Sequence, residues 1–458
     1  MMRAGRPWFW SAMFVGALIR LAILPFTAHL DTHIVDEQHY RELANSLMNG
    51  HGFAWSTGAL TSLRPPLYPA MLAGIWRLIG GESLQVIRVV QIALSMLTVA
   101  AVYSLGRRAF NADVGRLAAV VFWLYPAFIF FDFLILTETL YTLLLVVFVL
   151  LAVTLTQATS PLRTTALLCG IVLGLSCLTR SVLWPLPLLV APMLLVMTHG
   201  DWVRRVTISA LFVAGFATVV TPWAVRNTRV QGVVTVIDTM GGINLRSGNY
   251  EYTPDDRMWD AVSLKGTQSW SYEFGVETGG RPATEGEKEK WAQRKAIAYI
   301  AAHPATTARR AVIKFSDFWG LEREFVAGVQ QGLFHPPAWF ATLATIAIVV
   351  SFPLLVMLGG AAVWLTRPAD WRATVWLLLP VLAITGAHTL VFGHSRYHVP
   401  LMPLLGVFAA SALTQGLGVW RRASSVARIG ACLTVAILVS IWLRQVVFSD
   451  LDRIRALF

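Results

Sequence analysis

Long apolar runs separated by short polar breaks dominate the chain. The runs lie near 8–26, 84–105, 116–131, 133–157, 165–179, 182–198, 206–225, 338–365, 372–391, 398–418 and 427–446. A membrane-spanning helix takes about 20 such residues. The pattern therefore predicts about eleven transmembrane helices, and the short or touching runs leave room for about 10–13. The polar breaks divide the chain into a first span (1–26), a first outer loop (27–83), spans two to seven (84–225), a polar domain (226–336), spans eight to eleven (337–446) and a C-terminal tail (447–458).

Two polar stretches have a period of their own. In 36–48, Tyr40, Leu43, Ala44, Leu47 and Met48 recur at helical spacing, which predicts a short helix lying on the membrane surface. Asp36 is placed at its N-cap, and Glu37 and Arg41 stand in the favourable i,i+4 order. In the polar domain, "VVTVID" alternates like a strand and "MGG" reads as a turn. "TEGEKEKWAQRKAIAYIAAHP" reads as a helix, with Thr284 and Glu287 at capping-box spacing and Pro304 beyond its end. The predicted fold class is an all-α polytopic membrane protein with interfacial helices in the first outer loop and one small mixed α/β extracytoplasmic domain.

Composition agrees. The 458 residues are 56% hydrophobic and 14% charged, with a mean hydropathy of +0.61, more apolar surface than a water-soluble core absorbs. The net charge of +12 does not point to nucleic acid. Lys265, Lys288, Lys290, Lys295 and Lys314 all fall in the one polar domain, so no basic stripe runs along the chain. Cys169, Cys177 and Cys432 sit in apolar runs, so no disulfide framework or metal-ligand spacing is readable. The first run lacks a small-residue cleavage site and reads as a retained span.

Arginine placement sets the sidedness. The segment "PPLYPAMLAGIWRLIG", 65–80, is short and carries Pro65, Pro66 and Pro69, so it is read as interfacial. Arg3, Arg6, Arg107, Arg108, Arg116, Arg163, Arg204, Arg205, Arg367, Arg372, Arg421, Arg422 and Arg428 then share one side, which the positive-inside rule assigns to the cytoplasm. The opposite short loops keep Arg180 and Arg396. The loop 27–83 and the domain 226–336 face outward.

The candidate chemistry lies on that outward side. Asp36 is either one member of a capped, ion-paired helix or a general base that takes a proton from a hydroxyl. Arg64, held extended before Pro65 and Pro66, is either a headgroup contact or a phosphate ligand, since guanidinium binds phosphate through two donors. Glu138, in "FDFLILTETLY", lies inside an apolar run, where a carboxylate faces a cavity or a partner such as Arg180. Asp132 is read as a cap or loop residue. Arg226 in "TPWAVRN" and Arg396 in "GHSRYHVPLMP" end spans on the side where cations are scarce. With Arg64 they are the candidate donor-phosphate ligands. Trp223 and Tyr397 suit interface anchors. Tyr68, Arg180, Tyr397 and His394 are candidate substrate contacts. His394 and His398 stand i,i+4 with no third ligand, and no metal site is assigned.

"DEQHY", "RPPLYP", "RRAFN", "TETLY", "PWAVRN" and "SRYHVPLMP", in this order, resemble bacterial GT-C membrane glycosyltransferases. The nearest branch is that of protein O-mannosyltransferases and lipid A aminoarabinose transferases. The resemblance runs through most of the chain. It implies inverting transfer of a sugar from a polyprenyl-phosphate donor to an acceptor outside the cytoplasm, in the inner membrane of a bacterium. It implies a catalytic acid in the pair Asp36–Glu37, and Glu138 is carried with them as the third catalytic candidate. In the aminoarabinose transferase pattern, a basic residue before Pro-Pro helps hold the lipid phosphate; Arg64 stands where that pattern has lysine. No cofactor or divalent metal is expected. The expected partners are membrane lipid, the lipid-linked donor and an acceptor of unspecified class. The polar domain here sits between spans, and no large C-terminal domain is expected after the last. A flippase of lipid-linked sugar is the alternative, although the ionisable residues cluster at one face; a structural assembly subunit is another.

Overall fold

A computed structural model describes residues 7–160, 162–255 and 258–450. Arg3, Arg6 and the tail from 451 onward lie outside the described residues. Each of the eleven apolar runs falls on helix. Among the described residues, eight helices are long and apolar enough to cross a membrane by length and composition: Pro7–Thr27, Leu84–Ala109, Glu138–Gln157, Trp202–Gln231, Ala338–Leu365, Trp371–Leu390, Ser395–Gln415 and Ser425–Phe448. The remaining three runs make shorter helices. Arg163–Thr179 and Pro187–Met197 are two of them. The run 116–131 breaks into Ala112–Leu124 and Pro126–Phe131. Pro126 causes the break, because the residue before a proline is pushed out of helical geometry and Tyr125 has ψ 119°.

The short helix Arg163–Thr179 is held by close crossing rather than by length. A Cβ on Gly170 would lie 1.9 Å from the Phe212 carbonyl oxygen, and one on Gly215 would lie 2.2 Å from that of Leu167. Glycine at these positions lets this helix and Trp202–Gln231 touch backbone to backbone, the usual device where lipid gives no hydrophobic drive to association.

Leu67–Ile79 has 13 residues, so it covers about 20 Å, short of the roughly 30 Å hydrocarbon layer. It buries Tyr68, Leu72 and Trp76 and leaves Leu78 and Ile79 exposed. It packs on Val35–Met48, where the Tyr40 and Tyr68 rings meet edge to face at 5.2 Å.

The strand expected from "VVTVID" does not form. Among the described residues there is no strand, and the one backbone bridge pairs Ala54 with Leu60. Alternation needs a partner ladder, and here side chains take its place. The Ile237 carbonyl accepts from Trp223 Nε1 and Asn227 Nδ2, both at 2.8 Å, and the Thr239 N–H donates to the Ser62 carbonyl at 3.0 Å. The polar segment is helical instead, with Gly241–Ser247, Trp270–Glu277, Glu285–Ala302, Pro304–Phe318 and Glu324–Gln330. A small second core of Ile243, Phe274, Trp291 and Ala292 holds it. Thr284 and Glu287 form the expected capping box.

Asp132 is the C-cap of Pro126–Phe131, as expected, and it also has a long-range role. It is fully buried against Arg20 of the first span, with Nε 2.6 Å from Oδ2. Ser95 Oγ donates to its other oxygen at 2.5 Å. Arg20 also donates to the Trp123 carbonyl at 2.9 Å and lies 3.7 Å over the Trp123 ring. Cutting one partner from a buried pair costs about 3–5 kcal/mol, because it strands the other charge. Asp132→Asn should therefore lower the melting temperature of the purified protein sharply, and Arg20→Met combined with it should recover part of the loss. An Asp132→Asn protein that melts with the wild type would show that this pair does not hold the first span.

Candidate active site

Between Phe131 and Glu138 the chain leaves helical geometry while fully buried. Irregular backbone at such depth survives only if protein groups satisfy it. Arg88 Nε donates to the Phe133 carbonyl at 2.9 Å. Gln91 Nε2 donates to the carbonyls of Asp132 and Leu134 at 2.9 and 2.8 Å. The Ile135 N–H donates to Glu37 Oε1 at 2.9 Å. This link ends at Glu138, the first residue of the next span.

Glu37 is thereby explained. Its other oxygen accepts the His33 and Ile34 N–H groups, each at 3.1 Å. Both oxygens serve backbone and neither faces an open site, so the catalytic reading of Glu37 gives way to a structural one. The expected Glu37–Arg41 pair is absent from the described contacts of either side chain. Arg41 pairs with Asp31, at 2.6 Å, and with Glu82. The helix begins at Val35 with Ile34 as N-cap, so Asp36 lies inside the first turn rather than at the cap.

Asp36 stands between two guanidinium groups. Its Oδ1 lies 2.6 Å from Arg64 Nη2, and its Oδ2 lies 2.9 Å from Arg396 Nη1. Arg396 Nε in turn meets Glu138 Oε1. Arg180 Nη1 reaches the same oxygen at 2.9 Å. Arg180 also lies over the rings of Tyr397, at 5.2 Å, and Tyr141, at 5.7 Å. Four distant parts of the chain thus meet in one ion-paired network of three arginines and two carboxylates. Asp36 is its most open member, at 26% exposure against 0% for Glu138. Glu138 holds two arginines in place and is not itself open to a substrate. Burial alone pushes the Asp36 carboxyl up, but Arg396 and Arg64 outweigh it, and the group is held well below the usual carboxylate range.

Arg226 does not join this network. Its Nη1 donates to the Thr61 carbonyl at 2.5 Å and its Nη2 to the Phe53 carbonyl at 2.9 Å. Its guanidinium faces the loop ahead of Arg64, so the donor-phosphate reading of Arg226 is replaced. Tyr68 is also withdrawn as a substrate contact, being fully buried with its hydroxyl donated to Gln91 Oε1 at 2.7 Å. His394 accepts the Arg396 N–H at 3.2 Å and so caps the turn that carries that arginine. His398 points elsewhere, stacked on Phe352 and Trp319. Among the described residues no group of three or more His, Cys, Asp or Glu is arranged to hold a metal ion.

Two neighbours escaped the sequence analysis. His39 Nδ1 accepts from Arg64 Nη2 at 3.0 Å, and its ring lies 5.0 Å from that of Trp55. It stands three residues after Asp36 on the same helix, a spacing that places both on one face. Asp238 accepts the Met240 N–H at 3.1 Å. Burial raises its pKa, while Ser181 and Arg64 pull it down. Beyond the network, Arg396 borders a shallow cleft walled by Phe130, Phe131, Phe325, Ile348 and Val399, with Glu322 and Glu324 among its polar residues.

Residues 63–225 match the family of dolichyl-phosphate-mannose-protein mannosyltransferases. The apo oligosaccharyltransferase of Archaeoglobus fulgidus aligns with 95% of this chain at 14% identity and a TM-score of 0.51. This is a GT-C fold. The chain spans 56% of the archaeal protein's length. The same archaeal protein tethered to an acceptor peptide containing the NVT sequon gives a TM-score of 0.50 at 13% identity, over 95% of this chain and 55% of that one. ArnT from Cupriavidus metallidurans bound to undecaprenyl phosphate aligns with 96% of this chain and 89% of its own, at 14% identity and a TM-score of 0.42. No curated protein matches the chain. The family match takes in Arg64, Glu138 and Arg180; Asp36 and Arg396 lie outside it and enter the site through the fold.

Because His39 accepts from Arg64, its Nδ1 must be unprotonated. Burial, and behind it the Arg64 charge, holds its pKa below the ordinary 6.5. The folded state therefore disfavours the charged ring, and stability is lost as pH falls from 6.5 through the folded midpoint. Histidine NMR titration should place His39 below 6.5, and Arg64→Ala should move the midpoint upward. A His39 midpoint at or above 6.5, or one that Arg64→Ala leaves in place, contradicts the contact.

Proposed function

We propose that this chain is an integral-membrane glycosyltransferase that moves a sugar, with inversion, from a polyprenyl-phosphate donor to an acceptor at the outer face of a bacterial inner membrane. The observation that carries the reading is Asp36 held between Arg64 and Arg396. A carboxylate paired with two arginines occupies the kind of place a phosphate group takes, since guanidinium binds both anions in the same forked manner. The network also has one guanidinium more than it has carboxylates, an excess that suits a singly charged phosphodiester. The family description, with its dolichyl-phosphate-mannose donor, supports a lipid-phosphate sugar.

In this reading the donor phosphate takes over Arg64 and Arg396, with Arg180 behind them, and its lipid chain starts along the apolar cleft beside Arg396. Losing its two cations restores proton affinity to Asp36, because their charges are what hold its pKa down. The acceptor hydroxyl then gives its proton to Asp36 as its oxygen bonds to the anomeric carbon. The bond from that carbon to the phosphate oxygen breaks, and the lipid phosphate leaves with the electron pair. The arginines stabilise the charge that develops on it. Attack from the side opposite the phosphate inverts the anomeric centre.

Reconstituted protein with a labelled polyprenyl-phosphate sugar tests the reading and separates transfer from flipping. Asp36→Asn should abolish transfer while the protein folds and keeps the donor. Arg64→Ala or Arg396→Ala should weaken donor binding about 10- to 150-fold, the worth of one charge-assisted contact. Translocation of the label without transfer, or near-normal turnover by Asp36→Asn, overturns the proposal.

A further inference from the structure

The loop that leads to Arg64 is held far more tightly than a surface connection needs to be. Thr61 and Ser62 are fully buried. The Ser62 N–H donates to Glu285 Oε2 at 2.7 Å, and its carbonyl accepts the Thr239 N–H at 3.0 Å. Its hydroxyl donates to Asn227 Oδ1 at 2.9 Å and accepts from Gln231 Nε2 at 3.0 Å and Arg226 Nη1 at 3.1 Å. A hydroxyl has one donor and two acceptor sites, so this one is full. Thr61 Oγ1 donates to Glu285 Oε1 at 2.7 Å and accepts the Leu63 N–H at 3.0 Å. Arg226 takes the carbonyls of Thr61 and Phe53 from the other side. Trp55 Nε1 adds a weaker bond to Glu285 at 3.4 Å.

Glu285 thus collects the donors of this loop and Arg226 collects its carbonyls. The two come from separate parts of the chain's outer excursion, its start and its middle. Arg226 lies in the last turns of the span Trp202–Gln231, and Glu285 opens the helix Glu285–Ala302. The clamped pair stops two residues short of Arg64, and Pro65 and Pro66 stiffen the backbone immediately after it. Arg64 therefore projects toward Asp36 from a backbone fixed on both sides. An anchor that served only to tidy a loop has no reason to commit both oxygens of a half-buried acid from the outer domain at this point.

We propose that Glu285, with Arg226 and Ser62, is a positioning residue for the donor-phosphate site, fixing the backbone that aims Arg64. The proposal rests on the reading of Arg64 as a phosphate ligand given above. It makes the outer domain part of the donor site, and not only a cover over the acceptor.

The test is a double-mutant cycle on binding of undecaprenyl phosphate to the full-length protein in nanodiscs, with melting temperature and donor KM followed alongside. In Glu285→Gln an amide N–H₂ faces Thr61 or Ser62, donor against donor. Affinity for undecaprenyl phosphate should fall about tenfold, whereas in an Arg64→Ala background the same change should cost less than about twofold, the non-additivity expected when one residue acts through the other. In transfer, donor KM should rise with kcat little altered. Thr61→Val, which removes a single hydroxyl of nearly the same shape, should give a smaller loss with the same dependence on Arg64, and it carries the test if Glu285→Gln fails to fold. Equal penalties in both backgrounds overturn the inference and leave the proposed function standing. A wild-type protein that does not bind undecaprenyl phosphate removes the proposed function, and the inference falls with it.

Discussion

The structure turns on a carboxylate placed between two arginines. Asp36 meets Arg64 and Arg396, and neither arginine could be tolerated beside lipid without an anion to face. Much of the surrounding structure holds these three side chains at contact distance. The unwound link before Glu138 brings that acid to the far side of Arg396. Glu37, Arg88 and Gln91 satisfy the link. Tyr68 supports Gln91, and Tyr40 packs against Tyr68. Burial pushes the Tyr40 phenol up to about 12, with Asp36 adding to the effect, so the wall beside Arg64 stays uncharged. The site is therefore an electrostatic centre inside a shell of polar groups that serve backbone.

How far the sequence foretells this depends on the range of the interaction. Local signals carry through. The period of Tyr40, Leu43 and Ala44 marks the helix Val35–Met48, and Thr284 with Glu287 marks the start of Glu285–Ala302. Arginine sidedness rightly sets Arg64, Arg180 and Arg396 at one end of the bundle, where they meet the acids. It says which end a side chain occupies and not which way it points. That is why Arg226 looked equivalent to Arg64, although its guanidinium turns to carbonyls. "VVTVID" failed as a strand for a related reason. A period of two describes what a segment could pair with, and among the described residues no strand pairs with it.

A carboxylate inside an apolar run pointed to the Glu138–Arg180 pair, but other partnerships across long sequence separations had no local sign. Nothing near Asp132 announces Arg20, and nothing near Ser62 announces Glu285. His39 is the intermediate case. Its position one turn beyond Asp36 was readable, but its role as acceptor for Arg64 appears only once the fold brings the Pro-Pro loop alongside.

The pairing of Arg20 with Asp132 also bears on how the chain comes into being. The two residues are separated by 112 positions, and Arg20 is synthesised before Asp132. An arginine costs about 2.5–3.5 kcal/mol to insert at the centre of a span and less toward its end, where Arg20 lies in the last turn of Pro7–Ile23. For the whole time in which the intervening residues are synthesised, that charge lacks its carboxylate. The first helix can settle into the bilayer as a finished element only when the stretch bearing Asp132 arrives beside it. Its early companions in the insertion machinery, water or a lipid phosphate drawn inward, must give way at that moment. The order of biosynthesis and the order of assembly therefore differ at this point: the helix bearing Arg20 is made well before the stretch that completes it.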